Sequence, residues 1–325
     1  VPVSVPEEED YEYRSIIIDN NGDGSYTLDE VTKNIEAELK FSIEFVADPE
    51  DVKILGEDGI NVIKSARTVI ESIINRTTGY KRDGYDLKIR IMIVDNGIDN
   101  ENGTVLASSL VLKLAKSVHG DHSTYFPTEG LIQINYSVLT EENNIINTTS
   151  LLNNVKVPQL KAIMIHEMLH ILCMSHSPNP NYGWGSEKLG LVTNYTNKSG
   201  GWLYTGKPNS KAIEFYKEVY CSDDNIKGIP IEDDDMVLGH LEEGFNKNDE
   251  FVVRTIDSVV HYPLPFEIMS TLHTYLSLTS PITMGILEDY GYSINWENED
   301  IVAASNILKN KKASLLPNQS VGGEI

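Results

Sequence analysis

Between Leu160 and Met174 the chain reads LKAIMIHEMLHILCM, apolar on almost every side. At helical spacing such a segment has no polar face to turn to water, so it predicts a buried helix. Pro158 opens it, in a first turn where the missing N–H has no intrahelical partner to lose. Into this helix the sequence sets His166, Glu167 and His170. Burying two imidazoles and a carboxyl costs several kcal/mol unless they are paired or metal-bound. A fully hydrogen-bonded His/Glu cluster is the plain alternative to a metal site.

Residues four apart stand one turn apart on the same helix face. His166 and His170 can therefore aim their imidazoles at one ion. Glu167 is rotated by about 100° from His166, which in zinc peptidases places its carboxylate beside a metal-bound water rather than on the metal. In an HExxH arrangement zinc acidifies a bound water and polarises the scissile carbonyl. Glu167 takes the water's proton and passes it to the leaving amine. The expected function is a zinc metalloendopeptidase hydrolysing peptide bonds through a Glu-activated, zinc-bound water.

A catalytic zinc needs a third protein ligand and an open position. His176, ten residues after His166, has the spacing of a short HExxHxxGxxH motif, but Cys173 stands where that motif has glycine. A sharp turn with φ > 0 at that position suits Cys poorly, which favours a distant ligand. His240, in VLGHLEEGF, is the distant candidate.

A second motif lies near the start. Asp19 to Glu30 (DNNGDGSYTLDE) matches an EF-hand loop, with Asp19, Asn21, Asp23, Ser25, Thr27 and Glu30 at the ligand positions and Gly24 at the sharp turn. Ca²⁺ is the expected ion, as a structural brace. A helical pattern follows in VTKNIEAELKF, whereas the upstream flank is less helix-like. An Asn/Gly turn before an N-capped helix is the alternative.

Other elements are read from periodicity and punctuation. Gly59 to Ile74 reads as an amphipathic helix, Leu87 to Val94 as a strand, and Val105 to Leu114 as a strand or short helix. Gly130 to Leu139 reads as a further strand, Ser210 to Tyr220 as a helix, and Ser280 to Asp289 as a helix capped by Ser280 and ended by Tyr290-Gly291. His119 and His122 with Asp121 offer a second polar cluster, for which surface-loop histidines are the commoner account.

Net charge and apolar content limit the partners. The formal charge is −23, which repels phosphate backbones and argues against nucleic acid. No apolar run reaches the length of a membrane-spanning helix. Two cysteines, Cys173 and Cys221, allow at most one disulfide. Seven Asn-x-Ser/Thr triplets, at Asn75, Asn102, Asn135, Asn147, Asn194, Asn197 and Asn318, suit a secretory route, though an Asn-rich chain also makes them by chance. The start, VPVSVPEEED, reads as a trimmed one. A secreted or surface-exposed monomer acting on protein or peptide substrates is expected.

The chain also resembles the leishmanolysin family of metzincin peptidases, as a bacterial-type, cysteine-poor member. The resemblance runs from about Tyr85 to Trp296 and rests on segments in matching order. These are His166-Glu167-Met168-Leu169-His170, the stretch Leu203 to Tyr216, Ile229 to Glu232 (IPIE) and Gly239-His240-Leu241-Glu242. Phe266-Glu267-Ile268-Met269-Ser270 and Leu287-Glu288-Asp289-Tyr290-Gly291-Tyr292 follow. It implies His166, His170 and His240 as zinc ligands, Glu167 as general base and Met269 as the methionine of a Met-turn beneath the metal. It also implies that Gly130 to Leu139 is the sheet edge along which substrate lies. Cys173 and Leu241 depart from the family's Gly and Trp. The stretch from His240 to Met269 is longer than usual and contains His261, a further rival for third ligand.

The implied fold class is α+β, a metzincin-like peptidase with a mixed twisted sheet, an active-site helix and a mainly irregular or helical C-terminal part. The expected divisions are an acidic segment with the EF-hand-like loop (1–50), a first catalytic subdomain ending in the HExxH helix (51–177) and a second with the third His and Met-turn (178–325). A catalytically silent, metal-stabilised binding or adhesion protein is the alternative from another class. Retention of Glu167, which such a site does not need, argues against it.

Overall fold

The protein is described by a computed structural model covering residues 13–315, apart from 21–25, 34–39, 77, 79–84, 95–98, 101–102, 120–121, 141–143, 176–181, 187, 195–200, 222, 233–238, 243–253, 257–258 and 271–275. It is a mixed α+β structure.

Strands β1 (Tyr13–Asn20), β2 (Tyr26–Lys33) and β3 (Ile43–Ala47) precede helix α1 (Pro49–Ile73). Then come β4 (Leu87–Val94), the two-residue strands β5 (Asp99–Asn100) and β6 (Gly103–Thr104), and the long hairpin of β7 (Ala107–His119) and β8 (His122–Asn135). Six of these form one sheet in the order β2-β1-β7-β8-β4-β3. The pairs β3–β4 and β4–β8 are parallel, whereas β7–β8, β1–β7 and β1–β2 are antiparallel.

Alternation along the strands explains which face carries the helices. In β4, Leu87, Ile89 and Ile91 are buried while Arg90 is exposed, and in β8 Gly130, Ile132 and Ile134 point to the same core. A fully buried Ile contributes about 1.5–3 kcal/mol relative to exposure, so this face needs a cover. Helix α1 and helix α2 (Gln159–Leu172) supply it. Helix α2 follows β9 (Thr149–Leu152) and β10 (Val155–Pro158), so Pro158 ends a strand and caps a helix in one residue. Its approach to the sheet is close. A Cβ on Gly130 would stand 2.8 Å from Cδ1 of Ile171.

The described elements after α2 follow in order. They are β11 (Val192–Asn194), β12 (Trp202–Tyr204), helix α3 (Lys211–Val219), β13 (Ile229–Pro230), β14 (Arg254–Ile256), β15 (Val259–His261), β16 (Leu276–Ser277), α4 (Pro281–Tyr290) and α5 (Glu299–Leu315). Strand β16 joins β9 in a small parallel ladder, which ties the two halves together.

Several expectations change. Where a helix is expected over Val31–Phe41, its first three residues, Val31–Lys33, instead close strand β2, paired residue for residue with β1, and Val31 and Thr32 are β-branched residues that suit a strand. Residues 34–39 lie outside the described residues. Helix α1 begins ten residues earlier than its periodicity implies, because a kink at Gly56 (φ 63°) breaks the pattern ahead of Gly59. Strand β8 is not an edge: β7 and β4 flank it, and it ends at Asn135, with a 3-10 turn over Tyr136–Leu139. Asn135 caps that turn by accepting from the Ser137 N–H and is 2% exposed, which removes it from the accessible sequons.

Candidate metal centre

The helix α2 carries His166, Glu167 and His170 as the i, i+4 spacing requires. His240 enters from a separate segment. Ile231 bridges Leu241 in antiparallel fashion, Glu232 N–H donates to the His240 carbonyl (3.0 Å), and Leu241 N–H donates to the Met269 carbonyl (2.9 Å). The third histidine is thus held by backbone on both sides.

The three Nε2 atoms converge. His166 and His170 are 3.0 Å apart, His170 and His240 3.1 Å, and His166 and His240 3.2 Å. The opposite ring nitrogens fix the tautomers. Nδ1 of His166 lies 2.6 Å from the Ile268 carbonyl, and Nδ1 of His170 lies 2.6 Å from the Met174 carbonyl. A carbonyl only accepts, so both Nδ1 atoms carry the proton and both Nε2 atoms present lone pairs. Nδ1 of His240 faces Oε2 of Glu232 at 3.4 Å, which places its proton in the same way. Three lone pairs meeting at these distances repel unless a cation lies among them. The group can hold a metal ion. His166 is buried, while His170 and His240 are partly exposed and leave the centre reachable from solvent.

Glu167 is 4% exposed. Burial pushes its carboxyl up to about 7, while the Ser109 hydroxyl on β7 and the charge of His240 act the other way. Ser109 Oγ faces the carboxyl without reaching a well-formed hydrogen bond, and it is otherwise buried without a partner.

The exit from α2 departs from the glycine turn expected of a short motif. Cys173 caps the helix with φ −173°, an extended value any residue adopts, and its N–H bonds to Leu169 O. Cysteine is therefore compatible with this exit. Two tyrosines cover the helix's last carbonyls, Tyr182 on Ile171 and Tyr292 on Leu172.

Of the other expected site residues, His261 is turned elsewhere. It is fully buried, its Nε2 accepts from the Lys227 N–H (3.2 Å) and its Nδ1 reaches the Val259 carbonyl (3.1 Å), so neither nitrogen is available to the centre. His176 lies outside the described residues. Met269 is fully buried, and its turn holds the centre through backbone groups: the Ile268 carbonyl takes His166 and the Met269 carbonyl takes the third-ligand segment. In the calcium-like loop, Asp19 falls in β1 opposite Thr27 of β2, Glu30 falls in β2, and Asn21, Asp23 and Ser25 lie outside the described residues. Strands stand where an EF-hand has helices. Cys173 and Cys221 are both free thiols.

Glu232 and Ser109 were not candidates on sequence grounds. No metal motif contains either, and only pairing across distant segments brings them to the histidines. Among the described residues no helix is long and apolar enough to cross a membrane. Comparison with family models, with curated proteins and with solved structures finds no match for this chain.

Proposed function

We propose that the chain is a zinc-dependent endopeptidase of the leishmanolysin-like metzincin kind. The observation that carries this is the convergence of three Nδ1-protonated imidazoles on one point, with a buried glutamate one residue from the first of them. Zinc bonded to nitrogen at about 2.0–2.1 Å in tetrahedral geometry holds its ligand nitrogens about 3.3 Å apart, close to the spacing found here. Three protein ligands and a solvent-reachable fourth side are the pattern of a catalytic rather than a structural zinc site. When bound there, zinc supplies a Lewis acid that polarises a carbonyl and acidifies water.

The chain's own groups do the rest. His166, His170 and His240 present Nε2, each locked by the partner on Nδ1. Glu167 accepts a proton from the attacking water at its carboxylate and returns it to the leaving amine. A base whose pKa lies near the working pH is well matched to both transfers. Substrate has a sheet edge to lie on, but it is β7 rather than β8. Among the described residues β1 pairs only with Lys113–Lys116 of β7, so the stretch from Ala107 to Val111 has a free side, and Ser109 within it faces Glu167. An extended peptide adding there by backbone hydrogen bonds passes the metal centre.

The test is hydrolysis of casein or gelatin by the native protein and by Glu167→Gln, with zinc measured in both. The expected result is one zinc in each and activity lower by about 10²–10⁴-fold in the variant. Equal activity in the two, or a native protein that takes up no zinc, overturns the proposal.

A further inference from the structure

Two of the three histidines lean on neutral groups: His166 on the Ile268 carbonyl and His170 on the Met174 carbonyl. The third leans on a carboxylate, with Glu232 Oε2 3.4 Å from His240 Nδ1. His240 is also the ligand that no helix holds. Gly239 and His240 form a turn and bend, followed by the isolated bridge at Leu241. Glu232 meets His240 twice, through its N–H on the His240 carbonyl at 3.0 Å and through its side chain on the ring.

We infer that Glu232 is the positioning residue of the third ligand: it orients the His240 ring, fixes the Nδ1–H tautomer and adds the negative charge that two carbonyls do not. A carboxylate behind an imidazole makes its far nitrogen a stronger donor, and such outer partners are worth about 10–100-fold in metal affinity. The contact is about one-fifth exposed on both sides, with side-chain exposures of 23% and 22%, so solvent keeps its effect at the lower end of that range. The inference rests on reading the three histidines as a metal centre, and it goes beyond that reading by making a non-ligand decide how tightly the centre closes.

The experiment is chelator competition for Zn²⁺ with the native protein, Glu232→Gln and Glu232→Ala, together with the visible spectrum of each after Co²⁺ loading. Glu232→Ala should weaken zinc binding about tenfold or more and shift the Co²⁺ spectrum. Glu232→Gln, which keeps an acceptor for the ring but drops the charge, should recover part of the loss. Thermal unfolding of the metal-free forms should be unchanged, because the backbone pair between Glu232 and His240 does not need the side chain. Zinc affinity in both variants within twofold of native overturns the inference and leaves the metal centre standing. A native protein that binds no zinc overturns both.

Discussion

Nδ1 of His166 donates to the carbonyl oxygen of Ile268 at 2.6 Å, across 102 residues of chain. The first histidine of α2 is thereby oriented by a turn that also grips the segment of the third, since the next carbonyl, that of Met269, accepts from Leu241. The centre is one unit made of three distant segments, and its parts can be tested separately.

The first test separates the histidines. His240→Ala should lose stoichiometric zinc, whereas His261→Ala should keep it and unfold more easily. The His261 ring accepts from the Lys227 N–H in a fully buried setting, and an orphaned buried donor costs about 1–3 kcal/mol. Metal analysis beside thermal unfolding of the two variants checks this. Zinc lost from His261→Ala would reject the assignment.

Glu267 should make stability depend on pH. Burial pushes its carboxyl from 4.5 up to about 7; Ser280 and Thr283 hydroxyls only partly offset this, and its Oε1 has no partner. The folded state therefore holds the proton more tightly than the unfolded chain. That contribution is complete below 4.5 and is lost as the pH rises towards 7, a change of about 3 kcal/mol. Glu267→Gln removes this slope. Denaturant unfolding at about pH 5 and about pH 8 should show the variant gaining on the native protein at the higher value. A difference between them that ignores pH would show that Glu267 titrates normally.

Gly130→Ala should destabilise by about 1–3 kcal/mol, because the new methyl meets Ile171 at 2.8 Å from Cδ1 and 3.0 Å from the branch methyl Cγ2, so the side chain has to shift. Ile171→Val in the same protein should recover part of the loss. Chemical denaturation of the single and double variants measures the coupling, and additive losses would count against the contact.

Tyr292→Phe removes the hydroxyl, 3.0 Å away, that caps the Leu172 carbonyl, at a cost of about 1 kcal/mol. Zinc content should be unchanged, because no ligand moves. The midpoint of thermal unfolding reads the first effect and metal analysis the second.

The parts legible in the sequence are those set by local rules. The helix of His166 and His170 follows from four-residue spacing inside an apolar run, and α4 is announced by Ser280 and Pro281, with the Ser280 hydroxyl accepting from Ile282 N–H as its type predicts. Strand β4 follows from alternation. The parts not legible depend on long-range pairing. Whether Gly130–Asn135 is an edge or a centre is decided by β4 and β7 on either side, which its own residues do not state. His240 is favoured over His261 in sequence only through the matched segment Gly239 to Glu242, and it is the backbone holding each ring that turns one towards His166 and the other away. Ser109 carries no motif, and Glu232 ends the IPIE stretch with nothing in that stretch to mark it as a partner of His240.

The grip on the third ligand also sets what mutation can explore. Its bonds run from the Leu241 N–H to the Met269 carbonyl and from the Glu232 N–H to the His240 carbonyl, main-chain groups whose N–H every residue except proline can provide. Side chains at Ile268 and Met269 are therefore free to drift so long as they fill the core, since the carbonyls do the holding. Leu241→Pro deletes the donor that ties this segment to the Met269 carbonyl. At that position heredity is constrained by a hydrogen atom on the main chain rather than by the identity of a side chain.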